Sequence, residues 1–385
     1  MIVASTLVAT GLEQCAGLIV MFLVLLDVFL TVLYARMGTS LIARWVCVGG
    51  WRLFRRLSRT AGDRGSLLMT ICGPFLLVLI IALWAALLTL GAALVIHPAL
   101  GNAVRQSRGE TQTDFITALY ASGTSLALVG GSSFSPHTDE FRMLYLANSL
   151  IGTCVVSLTL TYLMQIYSAL QRRNALGLRF EHMTNNTGDA AELLARLVPR
   201  GELNGAHSII SDLATEMTQV KEAHHFYPML FYFRFREPHY AVSRFCLVAL
   251  DTMSLLDTAL DDEHCGWLKE SAATLHLSRS ALVLVTALEH TFPKARDSAA
   301  SRNMVERTDD ARSRYFAALE RLQGTSVPIA NDAEEGARRY AERRNEWYPH
   351  IARLAPAMGY AAEEIDPGIA GSEHSRTEGF QTATH

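Results

Sequence analysis

Apolar and polar positions follow two regimes along this chain. Through residue 172 the apolar runs are long and unpatterned; from Asn174 onward apolar residues recur with a helical period, and strand-like alternation is nearly absent. Three runs of the first regime are long enough to cross a bilayer. The first extends from Cys15 to Tyr34 and is apolar except for Asp27 and Thr31; at about 1.5 Å per residue it covers about 30 Å of hydrocarbon. A second covers roughly Leu67 to Ile96, with Gly73 and Pro74 near its start, and a third roughly Met143 to Leu170. Forty consecutive residues between Arg64 and Arg105, and twenty-nine between Arg142 and Arg172, contain no Asp, Glu, Lys or Arg. A soluble helix has no reason to run so far without charge, because one face must meet water. The periodic regime predicts helices over Asp189–Leu197, His207–Phe235, His239–Leu260, Glu263–His290, Asn303–Leu322 and Asp332–Arg353, packed as a bundle, with a disordered polar tail from about Ile365.

Composition and charge orient this picture. Only 18% of the residues are charged, and the deficit lies in one half: residues 1–172 hold 11 Arg and 7 acids, residues 173–385 hold 23 basic and 30 acidic residues. Residues 36–64 carry seven Arg against Asp63 alone, and the third run ends in Arg172 and Arg173. The positive-inside rule places both in the cytoplasm, the N-terminus and residues 98–142 outside, and the protein as a multi-pass chain in the cell inner membrane. Within the basic segment, Arg52, Arg55, Arg56 and Arg59 share one helical face with Trp45 and Trp51 nearby. Such a helix would lie at the headgroup level, each Arg gaining about 1 kcal/mol from anionic membrane lipid, or the Arg serve only to set topology. The three Lys do not cluster, so nucleic acid is not an expected partner, and the six Cys form no C-x-x-C.

Residues 113–136, TDFITALYASGTSLALVGGSSFSP, are too short and polar to cross and return as helices, yet too apolar for a solvated loop. A half-membrane helix over about Asp114–Leu126, followed by an extended Gly/Ser strand, fits them. Irregular backbone at membrane depth must be buried in protein or line a water-filled path, so a re-entrant loop implies a pore. The expected fold class is therefore all-α: a polytopic membrane protein with three transmembrane helices, a re-entrant pore loop and a helical cytoplasmic domain. Its expected divisions are 1–66, an N-terminal helix and basic linker; 67–172, a pore module; 173–364, the cytoplasmic domain; and 365–385, the tail.

Residues 67–172 resemble the two-transmembrane pore module of the potassium channel superfamily. Against that family's T-x-x-T-V-G-Y-G-D, Ser125 falls on the first Thr and Leu128 on the second; Val129 and Gly130 match, Gly131 replaces Tyr, Ser132 replaces Gly and Ser133 replaces Asp. Pro136 matches the following Pro, and Gly152 falls on the inner-helix glycine. The resemblance implies a selectivity filter lined by the carbonyls of Leu128, Val129, Gly130, Gly131 and Ser132, a gating hinge at Gly152, and a homotetramer passing monovalent cations, with K+ first among them. In the third run, Asn148, Ser149, Thr153, Ser157 and Thr161 step by roughly four residues; they either line water or glue helices together.

Asp27, alone within the first run, costs roughly 2.5 to 3.5 kcal/mol on insertion scales and is expected to face protein. It either packs as a hydrogen-bonded acid or senses pH. In the second half, no Gly-rich phosphate cradle or dinucleotide fingerprint appears, and no cofactor is expected. The aromatic His224–Phe235 stretch reads as core. Asp261, Asp262, Glu263, His264 and Cys265 resemble metal ligands in type, but consecutive residues at a helix start diverge and acids favour such starts, so they read as a cap and no metal is expected. Nothing suggests an enzyme. The expected function is a cation channel subunit; the alternative is a non-conducting membrane sensor or scaffold on a channel-derived fold.

Overall fold

The structure, a computed structural model, describes residues 2–34, 40–62, 65–127, 133–203, 205–291, 311–325 and 327–366. The chain divides into two units: Met1–Arg52 with Pro74–Tyr167, and Leu53–Gly73 with Ser168–His385.

The first unit is built on three long helices. Helix α1 (Ile2–Val28) continues into a π-helical turn at Phe29–Leu33, α3 spans Gly65–Ile96, and α5 spans Asp139–Met183. All three are long and apolar enough to cross a membrane, as the apolar runs predict. Glycines draw α1 and α3 together: a Cβ on Gly17 would strike the Gly91 carbonyl, and one on Gly91 would meet the Gly17 carbonyl. The Glu13–His97 hydrogen bond at 2.7 Å and the Trp84–Asp27 hydrogen bond at 2.8 Å extend this pairing, so the two helices run antiparallel.

Helix α2 (Ile42–Thr60) departs from the in-plane helix expected of the basic segment. It runs alongside α3 in the opposite direction: Gly50 packs on Leu76, and Gly65 packs on the Ser58 carbonyl. Its buried residues Ala43, Cys47 and Trp51 form one stripe at i, i+4 and i+8.

Between α3 and α5 stands a short helix, α4 (Phe115–Leu126), flanked by two three-residue strands. Strand β1 (Val104–Gln106) pairs antiparallel with β2 (Phe134–Pro136), Arg105 opposite Ser135. This ribbon, with isolated bridges between Leu100 and Val104 and between Leu260 and Ile329, departs from an all-α reading; strands of three residues are too short to show alternation.

The second unit is a helical bundle around α8 (Val242–Ala259), in which every residue but Arg244 and Asp257 is buried. A helix buried on all sides belongs at such a centre, and its buried Asp251, Thr252 and Ser254 side chains are hydrogen-bonded there. Packed around it are α6 (Ala190–Leu197), α10 (Ala272–Thr291) and α12 (Ala333–Ala357), with α7 (Ala206–Phe226) against α10 and α11 (Ala311–Gln323) against α12. The helix predicted over His207–Phe235 ends at Phe226, because Pro228 has no N–H to donate and restricts Tyr227; Pro228–Tyr232 is instead a 3-10 turn. The helix predicted over Glu263–His290 is two, α9 (Asp262–Lys269) and α10, bent by 59° where Ser271 caps the second through the Thr274 N–H. Ile365 and Asp366, placed by expectation in a disordered tail, are buried instead, Ile365 at the end of α13 (Ala362–Ile365); the rest of the expected tail lies outside the described residues.

Candidate functional site

The arrangement that answers the resemblance lies around α4. Asp114 caps the helix, accepting the Thr117 N–H and hydroxyl at 3.2 and 2.6 Å. Its 12 residues extend about 18 Å, little more than half of a bilayer core of about 30 Å. Two neighbours hold it. On the α3 side, the Ser122 hydroxyl donates to the Thr89 carbonyl at 3.0 Å. On the α5 side, Asn148 Nδ2 donates to Ser125 Oγ at 3.0 Å, and Ser125 donates in turn to the Ser122 carbonyl at 2.8 Å.

The end of α4 sits on Gly152. A Cβ there would fall inside the van der Waals shell of the Leu126 carbonyl oxygen, so only glycine admits this approach. Helix α5 runs unbroken through Gly152, whose visible role is steric. Leu128, Val129, Gly130, Gly131 and Ser132, the expected filter, lie outside the described residues. The chain on either side of them is fixed at one place: the Ser107 N–H donates to the Ser133 carbonyl at 2.7 Å, extending the β1–β2 ribbon. The chain just before α4 and the chain after residues 128–132 therefore meet at Ser107 and Ser133.

The polar residues of α5 do not share one face. Asn148 is buried with Gly152, Thr159, Tyr162 and Ile166, whereas Ser149, Thr153, Ser157 and Thr161 are all exposed. Their hydroxyl needs are partly met along the helix, Thr153 donating to the Ser149 carbonyl and Thr161 to that of Ser157. Of the most apolar stretch of α5 only 11% is buried, against 39% for α3, so α5 offers by far the barer surface.

Asp27 is fully buried and fully employed. Its Oδ1 accepts the Leu41 and Ile42 N–H groups at 2.6 and 2.8 Å, and its Oδ2 accepts the Trp84 indole N–H at 2.8 Å. It thus caps α2 from another helix, placing acceptor oxygens where the N–H groups of a helix start converge.

In the second unit, Arg173 is buried. Its guanidinium donates to the Leu230 and Phe233 carbonyls at 2.9 and 3.0 Å and lies 5.6 Å from the Phe235 ring. The aromatic stretch around it is core, with Met229 to Phe233 buried. His224 is buried as well; burial and the nearby Arg173 charge pull it down to about 3, so it stays neutral. Arg344 bridges Asp251 at 2.8 Å and Asp366 at 3.0 Å, with Tyr340 and Tyr348 donating to the same carboxylates. At α9, Asp261, Glu263 and His264 come within 4.8 Å, but Asp261 is spent as the cap, accepting the His264 N–H at 3.1 Å and meeting its Nδ1 at 2.6 Å.

No family model and no solved structure matches the chain. Over 218 residues it is 20% identical to YdjJ of Bacillus subtilis (strain 168), an uncharacterized membrane protein; the match covers 57% of this chain and 62% of that relative, short of two thirds of its length. With that relative and three helices of spanning length and composition, the chain is a mostly helical membrane protein.

Proposed function

We propose that the chain is one of four identical subunits of a cation channel of the potassium-channel type, with α4 as a re-entrant pore helix. The observation that carries this reading is the seating of the Leu126 carbonyl on Gly152. A helix too short to cross is held there between two long ones, with residues 128–132 leading off its C-terminal end. Backbone at that depth needs protein or water around it. One chain supplies one such excursion, and a filter built from rings of carbonyls needs several copies, four in the family resembled. The bare, hydroxyl-bearing face of α5 through Ser149, Thr153, Ser157 and Thr161 suits an aqueous wall. The N-terminus would lie outside and the second unit in the cytoplasm.

The test is a cysteine at Ser157, in a background lacking the exposed Cys15 and Cys154. Flux through the reconstituted channel should fall when a charged thiol reagent reaches S157C. Flux that persists with the thiol fully modified removes α5 from the pore wall.

The second reading, a non-conducting sensor or scaffold, is favoured by the departures at Leu128, Gly131, Ser132 and Ser133. Replacing residues 128–133 with TVGYGD separates the two: potassium flux that appears only in the graft supports the scaffold.

A further inference from the structure

We propose that Arg52, Arg55 and Arg56 of α2 form a binding site for the headgroup of an anionic phospholipid. The inference rests on the chain being a membrane protein and is independent of whether it conducts.

Depth along α3 locates the site. The Glu13–His97 pair marks the polar end of the α1–α3 pairing, and Gly50 packs at the level of Leu76. From His97 to Leu76 the chain rises about 32 Å, matching a hydrocarbon core of about 30 Å. If one polar boundary lies at Glu13–His97, the other falls at Gly50, and Arg52, Arg55 and Arg56 follow within the next two turns of α2. That is headgroup depth.

The surroundings fit lipid better than water. Arg52 and Arg56 are exposed and Arg55 is half-buried, and no carboxylate among the described residues pairs with any of them. Leu53 and Leu57, beside them, are 55% and 46% exposed, and Trp45, nearer the bilayer centre on the same helix, is 76% exposed. Apolar residues bared among unpaired cations describe a surface whose partner is apolar and anionic together, which is a phospholipid with a net negative headgroup. Guanidinium groups suit this role because their fixed N–H forks match phosphate oxygens two at a time. Burial and the like charge of Arg59 lower Arg55 from its ordinary value, a penalty that a phosphate would relieve.

The full chain in phosphatidylcholine bilayers, probed by electron paramagnetic resonance with spin-labelled phosphatidylglycerol or phosphatidylcholine, tests this. The wild type should favour phosphatidylglycerol. The triple variant R52Q/R55Q/R56Q should lose that preference, on the order of fivefold for each arginine, whereas the lysine triple R52K/R55K/R56K should keep most of it. Where the glutamine triple fails to fold, R56Q alone, at an exposed position, should show the single step. A wild type without preference, a preference surviving in the glutamine variants, or one abolished by millimolar inorganic phosphate overturns the proposal. Binding of an acidic peptide to the stripe while phosphatidylglycerol shows no preference also overturns it, assigning the surface to a protein partner.

Discussion

Two residues carry most of what the sequence could flag without explaining. Asp27 stands out as the acid in an apolar run, and its burial follows from the cost of exposing it to lipid. Its partners do not, since two are backbone N–H groups of Leu41 and Ile42, which leave no mark in side-chain identity. Asp27→Ala would strand the buried Trp84 indole N–H and two part-buried backbone N–H groups, and should cost on the order of 3 kcal/mol. Melting of the detergent-solubilised protein checks this, with Trp84→Phe removing only the indole share; unchanged melting in Asp27→Ala would contradict the cap. Gly152 was legible only through the resemblance, as a hinge and not as the seat of a carbonyl. Gly152→Ala should displace the end of α4 at a cost of about 1–3 kcal/mol and abolish flux while leaving the oligomer intact. Normal flux in that variant would show that the close approach is dispensable.

At the scale of elements, long and strongly patterned segments were readable and their terminations less so. The three spanning helices and α4 with its Asp114 cap lie where apolar length and a capping residue place them. The end of α7 was visible in principle at Pro228, whereas the break before α10 depends on Ser271 capping, which competes evenly with helix continuation. The course of α2 along α3 was hidden, because an arginine stripe looks the same whether its helix lies flat or stands against a neighbour. The bundle itself invites a pH test. Glu289 of α10 is buried, which raises its pKa, but the His350 hydrogen bond and the Arg353 ion pair, both at 2.6 Å, outweigh burial and hold it below the usual carboxylate range. A carboxylate depressed on folding contributes stability above its unfolded pKa of about 4.3, lost as pH falls through the lower folded value. Melting of the second unit should therefore weaken on acidification below about pH 4, less steeply in Glu289→Gln; identical profiles for the two proteins would contradict this.

For the whole molecule, the sparse charge resolves into two physical regimes, one chain half solvated by lipid and one packed as a bundle. Helix α5 belongs to both, entering the second unit at Ser168, where Arg173 is fixed to the Leu230 and Phe233 carbonyls. Conduction itself is decided by ion flux from purified, demonstrably tetrameric protein in liposomes, with potassium and sodium gradients compared. A conducting tetramer gives cation flux above that of empty liposomes; no flux under any ionic or pH condition means that the protein is not a channel.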